Sequence, residues 1–175
     1  MLANLAQAGW SGEATALDAT YVKAHRAAYG GKGARAQDIG PSRAGPTTKI
    51  HVLTDVIGRP SVIHLTPGNA SDVKTAPAVQ AKAPGRVRRL IPDKGDDADW
   101  LRQDPREQGI SVVIPGTRAR KRKIRLDKQR YRDHWRVEAV FGRLKDFRRI
   151  ATRYDKLARN FAAALALAAV VAIWC

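Results

Sequence analysis

Cysteine is almost absent from this sequence: the single one, Cys175, is the last residue. That excludes an intrachain disulfide and any cysteine-based zinc cluster, and it is compatible with a reducing cytoplasm. His25, His51 and His64 have no cysteine partners and no compact ligand spacing, so no zinc site is expected from them. His25 stays open as a DNA contact. The start, MLANLAQAGW, has neither the basic region nor the long apolar run of a secretory signal. The strongly apolar terminal run, Phe161 to Trp174, falls short of the ~20 residues that cross a bilayer. It is expected to form a buried closing helix or to face a partner, and no membrane association is expected.

Acids are scarce too. Against 16 Asp and Glu stand 32 Lys and Arg, giving a net charge of +16 and a pI near 10.8. Neither a core nor solubility needs such an excess, so a polyanion is the expected partner, with DNA or another nucleic acid first. An Ala- and Arg-rich genome accounts for part of the bias, but not for its clustering. Between Arg118 and Arg159 fall 17 of the 32 basic residues and only five acids. At 175 residues the chain suits one domain, 1–175, with a real hydrophobic core.

Along the chain, Ala14 to Val22 (ATALDATYV) reads as a strand that contains Asp18. Tyr29 to Pro46 is Gly-rich and reads as a flexible loop, with Arg26, Lys32, Arg35 and Arg43 near enough to meet phosphate. Thr47 to Val56 and Ser61 to Thr66 read as two strands joined by a hairpin-like turn at Ile57-Gly58-Arg59-Pro60. Ser71 or Asp72 caps a short, Pro-interrupted helix, and Val87 to Ile91 returns as a strand with Asp93 just past its end. Asp97 to Gln108 reads as a helix, Ile110 to Ile114 as a fifth strand, and Arg118 to Arg136 as a basic stretch holding ten Lys or Arg. Val137, Val140, Phe141, Leu144 and Phe147 form one apolar stripe of an amphipathic helix, and Glu138 and Lys145 share a neighbouring face. The expected fold is therefore α/β: a ribonuclease H-like mixed five-stranded sheet flanked by helices, with an extra C-terminal apolar helix.

Three acids occupy settings that could converge: Asp18 inside a strand, Asp93 at the end of another, Glu138 on the amphipathic helix. Carboxylates so gathered suit hard divalent cations, and a pair of Mg²⁺ ions about 3.5 to 4 Å apart can promote phosphodiester cleavage. Each acid also has a plainer reading. Asp18 could form a turn or ion pair, Asp93 could cap a helix, and Glu138 could pair with a base one turn away. Asp55, Asp96, Asp97 and Asp99 compete, and spacing alone leaves the choice open.

The segments LDATYVKAHR, GPTTKIHVLTDVIGRP, LTPGNASDVKTAP, DKGDDADWLR, VIPGTRARKRK and RVEAVFGRLKDFRRIATRYDKLARNF resemble successive blocks of IS5-family insertion-sequence transposases, from about Thr15 to the C-terminus. The last block is the most specific. The resemblance implies a DDE-type DNA transposase that cleaves DNA at the element's ends and transfers the strand into target DNA. It implies Asp18, Asp93 and Glu138 as the catalytic carboxylates, holding two Mg²⁺ (or Mn²⁺) ions, and a homo-oligomer acting on DNA in the bacterial cytoplasm, at the nucleoid. Tyr131, Glu138 and Lys145 fit the family's Tyr-Arg-Glu-Lys signature, but His134 stands where Arg is expected. Pro92 and Asp96 depart from the pattern around the second Asp: Pro92 removes a backbone donor and Asp96 adds negative charge near the metals. The family's N-terminal DNA-recognition region is missing ahead of Asp18. That suggests a downstream reading frame, joined to an upstream product by frameshifting.

Lys145 is the first choice for a phosphate contact near the reaction centre, with Arg148, Arg149 and Arg153 extending the track. Lys94, Lys49, Tyr131 and His134 are further DNA-binding candidates, His134 a weaker one because imidazole lacks the guanidinium fork. Such contacts give salt-sensitive affinity with little sequence information. Beside the active transposase stands a second reading: an inactive, truncated remnant that acts only as a basic DNA-binding protein.

Overall fold

The computed structural model describes residues 1–29, 37–117 and 124–175, apart from the side chain of Asp96. Lys32, Arg35 and the basic run 118–123 lie outside the described residues, as does the expected effect of the Asp96 charge.

Seven strands form one mixed sheet. The central strand is β1 (Thr15–Ala24), which pairs antiparallel with β3 (Gly45–Thr54) and, on its other edge, parallel with β5 (Arg89–Pro92). Beyond β3 lies β4 (Pro60–Pro67), and beyond β5 lies β6 (Ser111–Val112). These five strands are the ones expected, and their mixed arrangement is compatible with a ribonuclease H-like fold. Two short strands were not expected. β2 (Gly40–Ser42) pairs with the start of β3, inside the segment read as a loop, and β7 (Thr152–Arg153) pairs with the end of β1.

β6 is shorter than the apolar run 110–114 suggests. The amide of Val113 still donates to the carbonyl of Leu90 at 2.9 Å. The next rung is missing because Pro92, the last residue of β5, has no N–H to give. The departure noted at Pro92 therefore costs one rung of the ladder while the strand stays buried.

Alternation along β1 sorts the two faces of the sheet. Ala16 and Val22 point into a core shared with α5 (Trp135–Lys145) and α7 (Ala158–Ala169). Leu17 points into the opposite core, with Ala76 and Val79 of α2 (Asp72–Gln80) and Leu101 of α3 (Asp99–Glu107). Asp18 and Thr20 share the parity of Ala16 and Val22, so they face α5.

On α5 the buried residues are Val137, Val140, Phe141 and Leu144, the stripe expected from the sequence. Phe147 does not continue it. The helix ends at Lys145, the chain turns into the short α6 (Arg148–Ala151), and Phe147 is left 39% exposed at the bend. The closing helix α7 buries Phe161, Leu165, Ala168 and Ala169, then widens into a π-type turn over Val170–Trp174. Leu167 and Val171 face outward, so the helix is apolar on more faces than it buries. No helix among the described residues is long and apolar enough to cross a membrane. A first helix, α1 (Leu2–Gly9), packs against β4 and α7 and had no clear sequence signal.

Candidate active site

β1 presents Asp18 midway along the sheet, opposite Val52 of β3. One residue past the end of parallel β5 stands Asp93, and α5 brings Glu138 to the same side in its first turn. The side chains of Asp18 and Asp93 are 22% and 48% exposed, and Glu138 lies at the surface. The two aspartates are drawn around one ring: His134 Nε2 lies 3.9 Å from Asp18 Oδ2 and 4.0 Å from Asp93 Oδ1.

Local bonds fix each aspartate. Asp18 Oδ1 accepts from the Ala19 amide at 2.7 Å. Asp93 caps the single turn Lys94–Asp96, its Oδ2 accepting from the Gly95 amide at 3.1 Å, and not the following helix α3, which Ala98 precedes without a side-chain cap. The Tyr131 hydroxyl, at the end of α4 (Lys128–Tyr131), reaches Asp93 Oδ1 at 3.5 Å. Its ring stacks on His134 with centroids 5.3 Å apart and planes 7° apart.

The electrostatics record crowded negative charge. Burial, with the charges of Asp93 and Glu138 adding to it, pushes the Asp18 carboxyl from 3.8 up to about 6, against the Ala19 hydrogen bond and the His134 ring. Burial also pushes the Tyr131 hydroxyl up to about 12, helped by Asp93, Glu138 and Asp18. Among the described residues Glu138 makes no salt bridge, so its plainer reading as an ion-pair partner finds no support.

Whether these groups suit a divalent cation is a question of donors. No three His, Cys, Asp or Glu side chains among the described residues close on one point as they stand. The donor set nonetheless fits a divalent cation: carboxylate oxygens from separate elements, and a buried His134 Nε2 that has no hydrogen-bond partner among the described residues. Asp18, Asp93 and Glu138 are the residues that could hold such an ion.

Two of the competing acids, Asp55 and Asp97, are occupied elsewhere. Asp55 is almost wholly buried and holds the β3–β4 turn, accepting from the amides of Ile57 and Arg59 and from the Arg59 guanidinium. Asp97 accepts from Arg102 at 2.8 Å and from the Thr117 amide at 2.7 Å.

The proposed DNA contacts divide. Lys145 lies on the Asp18 side, its Nζ donating to Thr20 Oγ1 at 2.6 Å, and burial lowers its pKa. Arg148 and Lys94 are exposed. Arg149 is exposed but grips Asp155 at 2.7 Å. Arg153 does not extend the track. It is wholly buried, bonding Thr48 Oγ1 at 2.7 Å and the carbonyls of Asp155, Lys156 and Asp38, with its guanidinium over Phe161. Lys49 is likewise withdrawn, 4% exposed and paired with Asp72 at 2.9 Å, on the sheet face opposite Asp18. His134 is also too deep to grip phosphate, at 4% exposure.

One participant, Thr20, was missed, and the depth of another, His134, was misjudged. Thr20 is two residues from Asp18, and strand alternation alone puts it on the same face. His134 precedes Val137 by three residues, so the apolar stripe of α5 extends back to it and signals its burial. A cavity of about 650 Å³ lies around Tyr21, Arg43 and Lys49, remote from the acids in the sheet. Asp93 and Glu138 stand nearer the surface than Asp18.

The profile of the family described as transposase DDE domain matches residues 9–173. The chain is 33% identical over 131 residues to a protein of Brucella ovis assigned as the transposase for insertion sequence element IS6501, covering 73% of the chain and 98% of that protein. It is 32% identical over 142 residues to one of Burkholderia cepacia assigned to insertion sequence element IS402, covering 75% of the chain and 65% of that protein.

Proposed function

The chain belongs to the transposase DDE domain family, and from that premise we propose that it cuts DNA at the ends of an insertion sequence of the IS5 group and joins them to target DNA, using Asp18, Asp93 and Glu138. What supports this reading is that Asp18 of β1 and Asp93 at the end of β5 both lie within 4.0 Å of one His134 nitrogen, while the charge of Glu138 on α5 is felt at Asp18. Burial first, and then the charges of Asp93 and Glu138, raise the Asp18 carboxyl to about 6. Residues 1–175 act on this reading as one catalytic domain.

Two divalent ions, Mg²⁺ or Mn²⁺, would supply activation of the attacking oxygen and stabilisation of the leaving oxyanion. The chain's part is to place donors and exclude alternatives. Asp18 is held by its Ala19 bond and Asp93 by its Gly95 bond, so each presents a second oxygen toward the reaction side. Tyr131 steadies Asp93 from the flank. Lys145, tethered to Thr20, offers its ammonium to a phosphate beside Asp18, while Lys94 and Arg148 meet the strand further out. In the first step a water oxygen bonds to phosphorus as the P–O3′ bond breaks, leaving a 3′-hydroxyl and a 5′-phosphate. In the second, that 3′ oxygen bonds to a target phosphorus as the target's own P–O3′ bond breaks. Homo-oligomers on DNA, and a fusion to an upstream frame product, belong to the same reading.

The test is nicking and strand transfer on DNA carrying the element's ends with Mn²⁺, comparing the chain, its upstream-fused form and Asp93→Asn. Products made by either parent form and lost in Asp93→Asn are expected. Salt-sensitive DNA binding without cleavage in both forms would instead support the inactive DNA-binding remnant.

A further inference from the structure

We infer that His134 supplies a nitrogen ligand to a divalent ion held with Asp18 and Asp93, giving the site a preference for manganese over magnesium. This rests on the reading of the acids as a metal site.

His134 is placed as a ligand is placed. Its side chain is 5% exposed, and Nδ1 lies 3.1 Å from the Ile91 carbonyl oxygen. A carbonyl can only accept, so Nδ1 carries a proton, and Nε2 is the nitrogen left to face an ion. That buried nitrogen has no hydrogen-bond partner among the described residues. It points between the two carboxylates, 3.9 Å from one oxygen and 4.0 Å from the other. These separations exceed the roughly 2.7 to 3.2 Å of a hydrogen bond, and the two oxygens must close by several tenths of an ångström to share one ion with Nε2. A lone pair buried against two carboxylate oxygens is repelled unless positive charge stands between them.

The surroundings also fix the ring. The Ile91 carbonyl sets the tautomer, as the outer partner of a metal-bound histidine does. Tyr131 stacks flat on the imidazole and sets its plane. Asp93, half exposed just past its strand, has room to turn toward a common ion. Imidazole is a softer donor than carboxylate, so its presence favours Mn²⁺, Co²⁺ or Zn²⁺ over Mg²⁺. The remaining histidines have other partners: His51 bonds Thr66, His64 bonds Lys82, and His25 stacks near Tyr154.

The experiment is pulsed electron paramagnetic resonance of the Mn²⁺-loaded full chain, with calorimetric titration of Mn²⁺ and Mg²⁺. Nitrogen-14 coupling to the manganese is expected, converting to nitrogen-15 coupling when the chain is made with ¹⁵N-histidine, and vanishing in His134→Gln. That variant should bind Mn²⁺ roughly tenfold more weakly while its Mg²⁺ affinity changes far less. Should His134→Gln fail to fold, the isotope comparison in the unaltered chain decides alone. Manganese that binds, is lost in Asp93→Asn and shows no nitrogen coupling overturns the role of His134 and leaves the carboxylate reading intact. No manganese binding by the unaltered chain overturns both.

Discussion

Replacing Asp18 by Asn is expected to make the protein more stable while removing its chemistry. The side chain is 22% exposed, and its carboxyl is raised from 3.8 to about 6, first by burial and then by its acidic neighbours. A folded-state pKa above the unfolded one means that folding weakens as pH rises through that window, because the charged form is the one the fold disfavours. With 1.36 kcal/mol for each pKa unit, the charged carboxylate costs the fold about 3 kcal/mol at pH 7.5 and about 0.5 kcal/mol at pH 4. Asn has nearly the same shape, keeps an oxygen to accept from Ala19, and carries no charge. In metal-free buffer Asp18→Asn should therefore melt roughly 6 to 12 °C above the parent at pH 7.5, at about 2 to 4 °C per kcal/mol for a chain of this size, with the gap nearly closed at pH 4. Circular dichroism melts at both pH values provide the check. A variant that melts at or below the parent at pH 7.5, or a gain that persists undiminished at pH 4, would refute the reasoning.

Arg153→Gln tests the reassignment of that residue from DNA contact to internal brace. It leaves Thr48 and several carbonyls short of donors and should cost about 3 to 5 kcal/mol in denaturant melts, while the salt slope of DNA binding at a temperature where both proteins are folded stays the same. Lys145→Gln should do the reverse. Its stability should change by under about 1 kcal/mol, while the slope of log K against log salt for duplex DNA becomes shallower by about one unit. An unchanged slope would remove Lys145 from the phosphate track.

What could be read in advance followed how local each signal is. Asp18 within a β-branched run and the stripe of α5 are written in neighbouring residues, so strand and helix were recoverable, and with them the faces that bring Asp18 and Glu138 together. β2, β7 and α1 are too short to carry a period of their own; they form because β3, β1 and β4 offer partners. Arg153 shows the limit for side chains. A charged residue in a basic cluster reads as surface, and only Asp38 and Thr48, more than a hundred residues away, reveal that it is enclosed. His134 was misjudged by chemistry alone, weighed as a poor arginine when its spacing from Val137 already pointed inward.

The site also has an order in time. Asp18 is made before Asp93, Asp93 before Glu138, and the helix bearing Glu138 is seated only when Phe161 and Leu165 of the later α7 close the same core. A growing chain on the ribosome thus holds its first two acids without the third for much of its synthesis. Glu138 is seated beside the two aspartates only after the helix that follows it in the chain has packed, so an unfinished chain carries Asp18 and Asp93 without their third acid.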